Sequence, residues 1–182
     1  MPDRRVKSTV ALFLVVFLLG SSAFLALGGP TGMAARPGLF GTKANLFTDI
    51  NLIAQIVLLL GLGVGAIFAR RGNIAMHQYN QTAWVLFNIV LTIFIMIVAY
   101  VEYVLPNLPG NLRHASGLLP TIHAALGLLA IFCGVYLILR MNQWIPKKWR
   151  IKWWKQLMRL TLALYWLVGL FGLAIYYVWF MR

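Results

Sequence analysis

Acidic side chains are nearly missing from this sequence. Asp3, Asp49 and Glu102 are the only three among 182 residues, against 16 Lys and Arg, for a formal charge of +13. Charge of either sign is scarce at 10% of residues, where a soluble domain carries about 25%. Cysteine is represented once, by Cys133 inside an apolar run, so an intrachain disulfide, a paired-thiol redox motif and a zinc-ligand motif are all excluded. Cys133 reads as a small buried hydrophobe. There is no nucleophile elbow, no phosphate-binding glycine loop and no close carboxylate pair. Hydrolytic chemistry of those kinds is therefore not expected, and the chain is read as non-enzymatic.

What the sequence does hold is apolar residues, 62% of the total, with 14% aromatic. They come in runs of about 20, the length that crosses a hydrocarbon core of about 30 Å. The runs are continuous and do not alternate every second residue, which selects helices over a barrel. An all-α integral membrane bundle is expected, with five spans near residues 10–27, 50–68, 84–105, 118–139 and 160–181. The first is too long for a signal core of 7–15 residues and reads as a retained anchor. Residues 1–49 then form an anchor helix with an external Gly- and Pro-rich loop at 28–48, and residues 50–182 form a four-helix membrane domain.

The basic residues flank the spans, as topology signals and contacts to anionic headgroups do. Nothing resembles a groove-reading module, so nucleic acid is not an expected partner and membrane lipid is. Segments on the N-terminal side of the membrane carry 12 of the 16 Lys and Arg. The positive-inside rule therefore predicts a cytoplasmic N-terminus and an external C-terminus. The strongest vote comes from residues 140–159, where Lys147, Lys148, Arg150, Lys152 and Lys155 interleave with Trp144, Trp149, Trp153 and Trp154.

Projection at 100° per residue gives three helices a small or polar face. On the third, His77, Gln81, Asn88, Thr92, Ala99 and Glu102 share an arc of about 80°, provided that the helix starts near residue 75. On the fourth the face is Ser116, Pro120, His123, Gly127, Ala130 and Gly134. On the fifth it is Trp154, Thr161, Tyr165, Gly169, Gly172 and Tyr176. Ordinary packing accounts for most of these positions and for the GxxxG spacing of Gly61 and Gly65. Ionisable side chains at membrane depth are costly and mark functional candidates. On the predicted topology Glu102, His114 and His123 collect near the outer face, where imidazoles and a carboxylate could ligate copper, iron or zinc. Asp49, Asn51 and Gln55 start the second span from that side, and the bland alternative for His114 and Asp49 is a solvated interfacial side chain. His77 lies at the opposite end, too far from His123 for the two to share one haem. One haem with a single histidine and another second ligand remains open.

Residues 50 to 181 resemble the CtaM- and YozB-like family of small bacterial membrane proteins. The resemblance is carried by Arg70-Arg71 followed by His77, by the aromatic helix end Tyr100-Val101-Glu102-Tyr103, by the early helical His123, and by Thr161, Tyr165, Trp166, Gly172 and Tyr176 in the last helix. Two histidines of the family pattern are replaced, one by Trp154 and one in the stretch Glu102-Tyr103-Val104. The resemblance implies a bacterial cytoplasmic-membrane protein that assists maturation of a respiratory haem–copper oxidase, with subunits of a terminal oxidase as partners. Carried over residue by residue, the family's histidines fall at His77 and His123, with His114 in the corresponding loop; joined to the outer-face grouping, the expected copper or haem site is His123, His114 and Glu102, with His77, Asp49, Asn88 and Tyr165 as further polar candidates. The alternatives are an accessory subunit of a respiratory or photosynthetic complex, or a b-type haem protein.

Overall fold

The computed structural model describes residues 35–182 apart from Pro109, together with Val15. The expected first span at 10–27 falls outside the described residues, Val15 excepted. Among the described residues the chain is helical and strand-free, with a lone bridge between Pro37 and Asn45. Among the described residues four helices are long and apolar enough to cross a membrane: α1 Leu46–Arg70, α2 Ile74–Val104, α3 Ala115–Met141 and α4 Trp154–Met181. At 1.5 Å per residue, even the 25 residues of α1 exceed a hydrocarbon core of about 30 Å. The chain is a multi-pass membrane protein by this architecture.

Each helix starts earlier than its apolar run, and the polar first turns of α1 and α2 are capped by side chains. Asn45 caps α1 by accepting from the Thr48 amide at 2.9 Å, and Asn73 caps α2 by accepting from the Met76 amide at 3.2 Å. Between them the chain reverses in three residues. Gly72 takes φ +75°, open to glycine without a Cβ penalty, and the Asn73 amide returns to the Phe68 carbonyl. Gln143 adopts the same left-handed geometry after α3.

Polar contacts join α1 to α2. His77 Nδ1 donates to the Gly65 carbonyl at 2.7 Å, Asn80 Nδ2 to the Gly61 carbonyl at 2.7 Å, and Gln81 Nε2 to the Leu62 carbonyl at 3.0 Å. These carbonyls are reachable because Gly61 and Gly65 carry no side chain. A Cβ on Gly61 would collide with the Trp84 ring, and one on Gly65 with the Asn80 and Gln81 amides. The GxxxG spacing is thus a packing seam, as expected, and it also admits hydrogen bonds.

The bundle core joins all four helices through Leu58, Leu59, Leu62, Val85, Ala130, Ile138 and Tyr165. Large apolar side chains such as Phe132, Leu129 and Leu170 face outward, 70, 52 and 57% exposed. A soluble protein could not leave such a surface in water; hydrocarbon tolerates it. The start of α1, the end of α2, the start of α3 and the end of α4 share one end of the bundle, here the capped end. The opposite end carries Arg70, Arg140, Lys155 and Arg159 and is the basic end. There Trp154 is flanked by Arg140 and Lys155, at 5.1 and 5.8 Å from its ring centre.

Candidate functional site

At the capped end the loop before α1 folds back onto the bundle. Asp49 is wholly buried, although a solvated interfacial carboxylate was the bland expectation for it. Its Oδ2 accepts the Leu39 amide at 2.6 Å and the Phe40 amide at 3.1 Å, while Oδ1 accepts the Tyr176 hydroxyl at 2.6 Å. Thr42 Oγ1 lies 2.9 Å from the same hydroxyl, and the Lys43 amide bonds to the Phe180 carbonyl. One carboxylate therefore ties a loop, the start of α1 and the end of α4 together. The expected external loop is, from residue 36 onward, part of the packed unit.

Behind this clamp lies a cavity of about 550 Å³ bordered by all four helices. Its wall is mostly apolar, with Asn51, Gln55, Asn88, Thr92, His123 and Tyr165 among the polar members. His123 Nδ1 donates to the Val168 carbonyl at 3.0 Å. A carbonyl can only accept, so Nδ1 carries a proton, and in the neutral ring Nε2 presents a lone pair. Gly172 leaves room for the ring: a Cβ there would meet Cε1 at 3.5 Å. Three buried polar atoms of the lining have no partner, namely Asn51 Oδ1, Gln55 Nε2 and the Tyr165 hydroxyl. The hydroxyl lies toward Asn88 without reaching hydrogen-bond geometry.

The residues expected to form a metal site separate. Among the described residues no three His, Cys, Asp or Glu side chains are grouped to hold an ion. Glu102 is exposed, and so is His114, whose backbone caps α3. The displacement of Glu102 has a physical cause. The arc assumed an unbroken α-helix, but α2 widens into π-helical turns at Thr92–Met96 and Tyr100–Val104. A π turn inserts about one extra residue and rotates the remainder of the helix by roughly 100°. Asn88, before the first wide turn, is 6% exposed as its face requires; Glu102, beyond it, has left that face.

His77, Asn88, Tyr165, Thr161 and Tyr176 are all buried on the faces that the projection assigned to them. Tyr165 lines both the capped-end cavity and a second one at the basic end, which His77 and Thr161 also border. The unpartnered atoms of Asn51 and Gln55 escaped the site reading. Their i, i+4 spacing was the available signal.

The cavity residues suit one haem with one protein ligand better than a copper ion. Copper needs several N or S donors converging on one point, and His123 is the sole histidine of this cavity. A haem needs an apolar slot and an imidazole whose Nδ1–H is held by a carbonyl, which is the arrangement at His123.

No protein-family profile, no curated protein and no solved structure matches this chain.

Proposed function

We propose that the chain is a non-catalytic assembly factor of the bacterial cytoplasmic membrane, and that it assists maturation of a respiratory haem–copper oxidase by holding a haem at His123. The observation that carries this reading is the His123 imidazole, fixed through Nδ1 to the Val168 carbonyl and bordering a cavity of about 550 Å³ with Nε2 unused. A bound haem supplies an iron centre that accepts one imidazole lone pair. The chain's own residues do the rest: Val168 and Gly172 set the ring plane, aliphatic side chains exclude water, and Asn51 and Gln55 offer polar edge contacts. The oxidase as destination, and its subunits as partners, rest on the resemblance of residues 50 to 181 to the CtaM- and YozB-like proteins. The distribution of Lys and Arg favours the basic end as cytoplasmic, the capped end as external and the N-terminus as inside.

The reading is tested by the reduced-minus-oxidised visible spectrum of membranes from a deletion strain. The oxidase haem signal should fall, return with the intact gene, and stay low with His123→Ala. In parallel, the purified chain reconstituted with haem should show a Soret band that His123→Ala loses. An undiminished oxidase signal in the deletion strain would remove the maturation role and favour a permanent accessory subunit.

A further inference from the structure

The cavity at the basic end, about 570 Å³, is left unused by that reading. Two of its polar residues, His77 and Thr161, are each only 6% exposed. His77 Nε2 and Thr161 Oγ1 are buried and have no hydrogen-bond partner. The bond from His77 Nδ1 to the Gly65 carbonyl fixes the imidazole and makes Nε2 an acceptor in the neutral ring. The Thr161 hydroxyl can both give and accept. Buried groups of this kind are ordinarily satisfied, and a hydroxyl, which can both donate and accept, would complete either of them.

The same cavity is bordered by Arg70, Lys155 and Arg159, all exposed. Among the described residues the acidic side chains are Asp49 and Glu102, and both lie at the capped end. No carboxylate of those residues can neutralise this rim. His77 follows the start of α2 by three residues and Thr161 follows the start of α4 by seven, or about 5 and 10 Å along the axes. The unpartnered pair thus sits just beneath a cationic rim, and Leu62 and Val85 form an apolar floor.

We propose that this cavity binds the headgroup of an anionic phospholipid that carries free hydroxyls, of the phosphatidylglycerol class. The phosphate lies against Arg70, Lys155 and Arg159. The glycerol hydroxyls reach inward, one donating to His77 Nε2 and one exchanging a hydrogen bond with Thr161, while the acyl chains stay in the leaflet. A cationic rim alone would accept any anion; the buried acceptor beneath it selects the hydroxyl. This site is independent of whether His123 holds haem.

The test uses the full chain, delipidated in an uncharged maltoside detergent, with thermal unfolding followed as lipid is added. Phosphatidylglycerol should raise the midpoint by about 4 °C or more, as a ligand confined to the folded state does. Phosphatidylethanol, with the same phosphodiester charge and no hydroxyl, should give a clearly smaller rise. Phosphatidylcholine and soluble sn-glycerol 3-phosphate should give none. The double variant Lys155→Gln/Arg159→Gln changes exposed side chains and should keep its lipid-free midpoint while losing the response. Thr161→Val should also fold, and should narrow the gap between phosphatidylglycerol and phosphatidylethanol. Equal rises with phosphatidylglycerol and phosphatidylcholine, or a response that survives the double variant, would overturn the site. Equal rises with the two anionic lipids would overturn hydroxyl selection. A full response to glycerol 3-phosphate would replace the lipid with a soluble phosphate ester.

Discussion

The Tyr176 hydroxyl donates to Asp49 Oδ1 at 2.6 Å, joining residues 127 apart in sequence. Because Asp49 also holds the Leu39 and Phe40 amides, its loss strands three donors at once. Asp49→Ala should destabilise the protein by roughly 3 kcal/mol or more, and Tyr176→Phe by about 1–2 kcal/mol. Thermal unfolding in detergent measures the order. Limited proteolysis should cut residues 36–44 faster in Asp49→Ala than in Tyr176→Phe. Equal stability of the two variants would mean that the carboxylate does not organise the loop.

The three glycines of α1 separate by what faces them. Gly61→Ala and Gly65→Ala drive a methyl into Trp84 and into the Asn80 and Gln81 amides, which costs about 1–3 kcal/mol of overpacking. At Gly63 the nearest atom to a new Cβ is Trp166 at 3.9 Å. Gly63→Ala should therefore be neutral or gain up to about 1 kcal/mol from helix propensity. Unfolding midpoints of the three variants check this, and a Gly63→Ala loss equal to the other two would refute the seam.

Glu102 and His114 are exposed, while His77 is buried and bonded to Gly65. Glu102→Gln and His114→Ala should each stay within about 0.5 kcal/mol of the parent stability. His77→Ala should lose roughly 1–3 kcal/mol. If Soret intensity of the haem-reconstituted chain fell as far in Glu102→Gln as in His123→Ala, the separation of those two residues would be wrong.

Tyr165 forms a wall common to both cavities, and its hydroxyl is unpartnered. Removing only the oxygen, in Tyr165→Phe, should leave stability within about 1 kcal/mol, since an unmade hydrogen bond has nothing to lose. Tyr165→Ala also removes a 4% exposed ring from the core and should cost about 3–5 kcal/mol. Chemical or thermal unfolding distinguishes the two, and a large loss in Tyr165→Phe would show that the hydroxyl has a partner.

Of the five spans expected from hydropathy, the four within the described residues are long helices, because hydrocarbon demands long apolar runs, and projection picked out Asn88, Thr161, Tyr165 and Tyr176 because a regular helix repeats. The projection lost Glu102 where regularity ended, at wide turns that Thr92–Met96 and Tyr100–Val104 do not announce in composition. The start of α2 at Ile74 was legible only as a condition for the polar arc. The partners of Gln78, Asn80 and Gln81 are carbonyls at the end of α3 and within α1, which nothing in the local sequence of α2 announces. Asp49 was hidden for the same reason. Its partners come from backbone amides and from a tyrosine at the far end of the chain, and neither leaves a local mark.

The three side-chain bonds from α2 to α1 have a consequence for biogenesis. His77, Asn80 and Gln81 reach carbonyls on the preceding helix across a three-residue turn, so the pairing needs no later part of the chain. Entering lipid singly, α2 would carry those polar groups toward the apolar layer without protein partners, which is costly wherever water does not reach them. Entering beside α1, it carries them already satisfied. The hairpin is thus the natural unit of membrane integration for this chain, and α3 and α4 join a pair that is polar inside and greasy outside before they arrive.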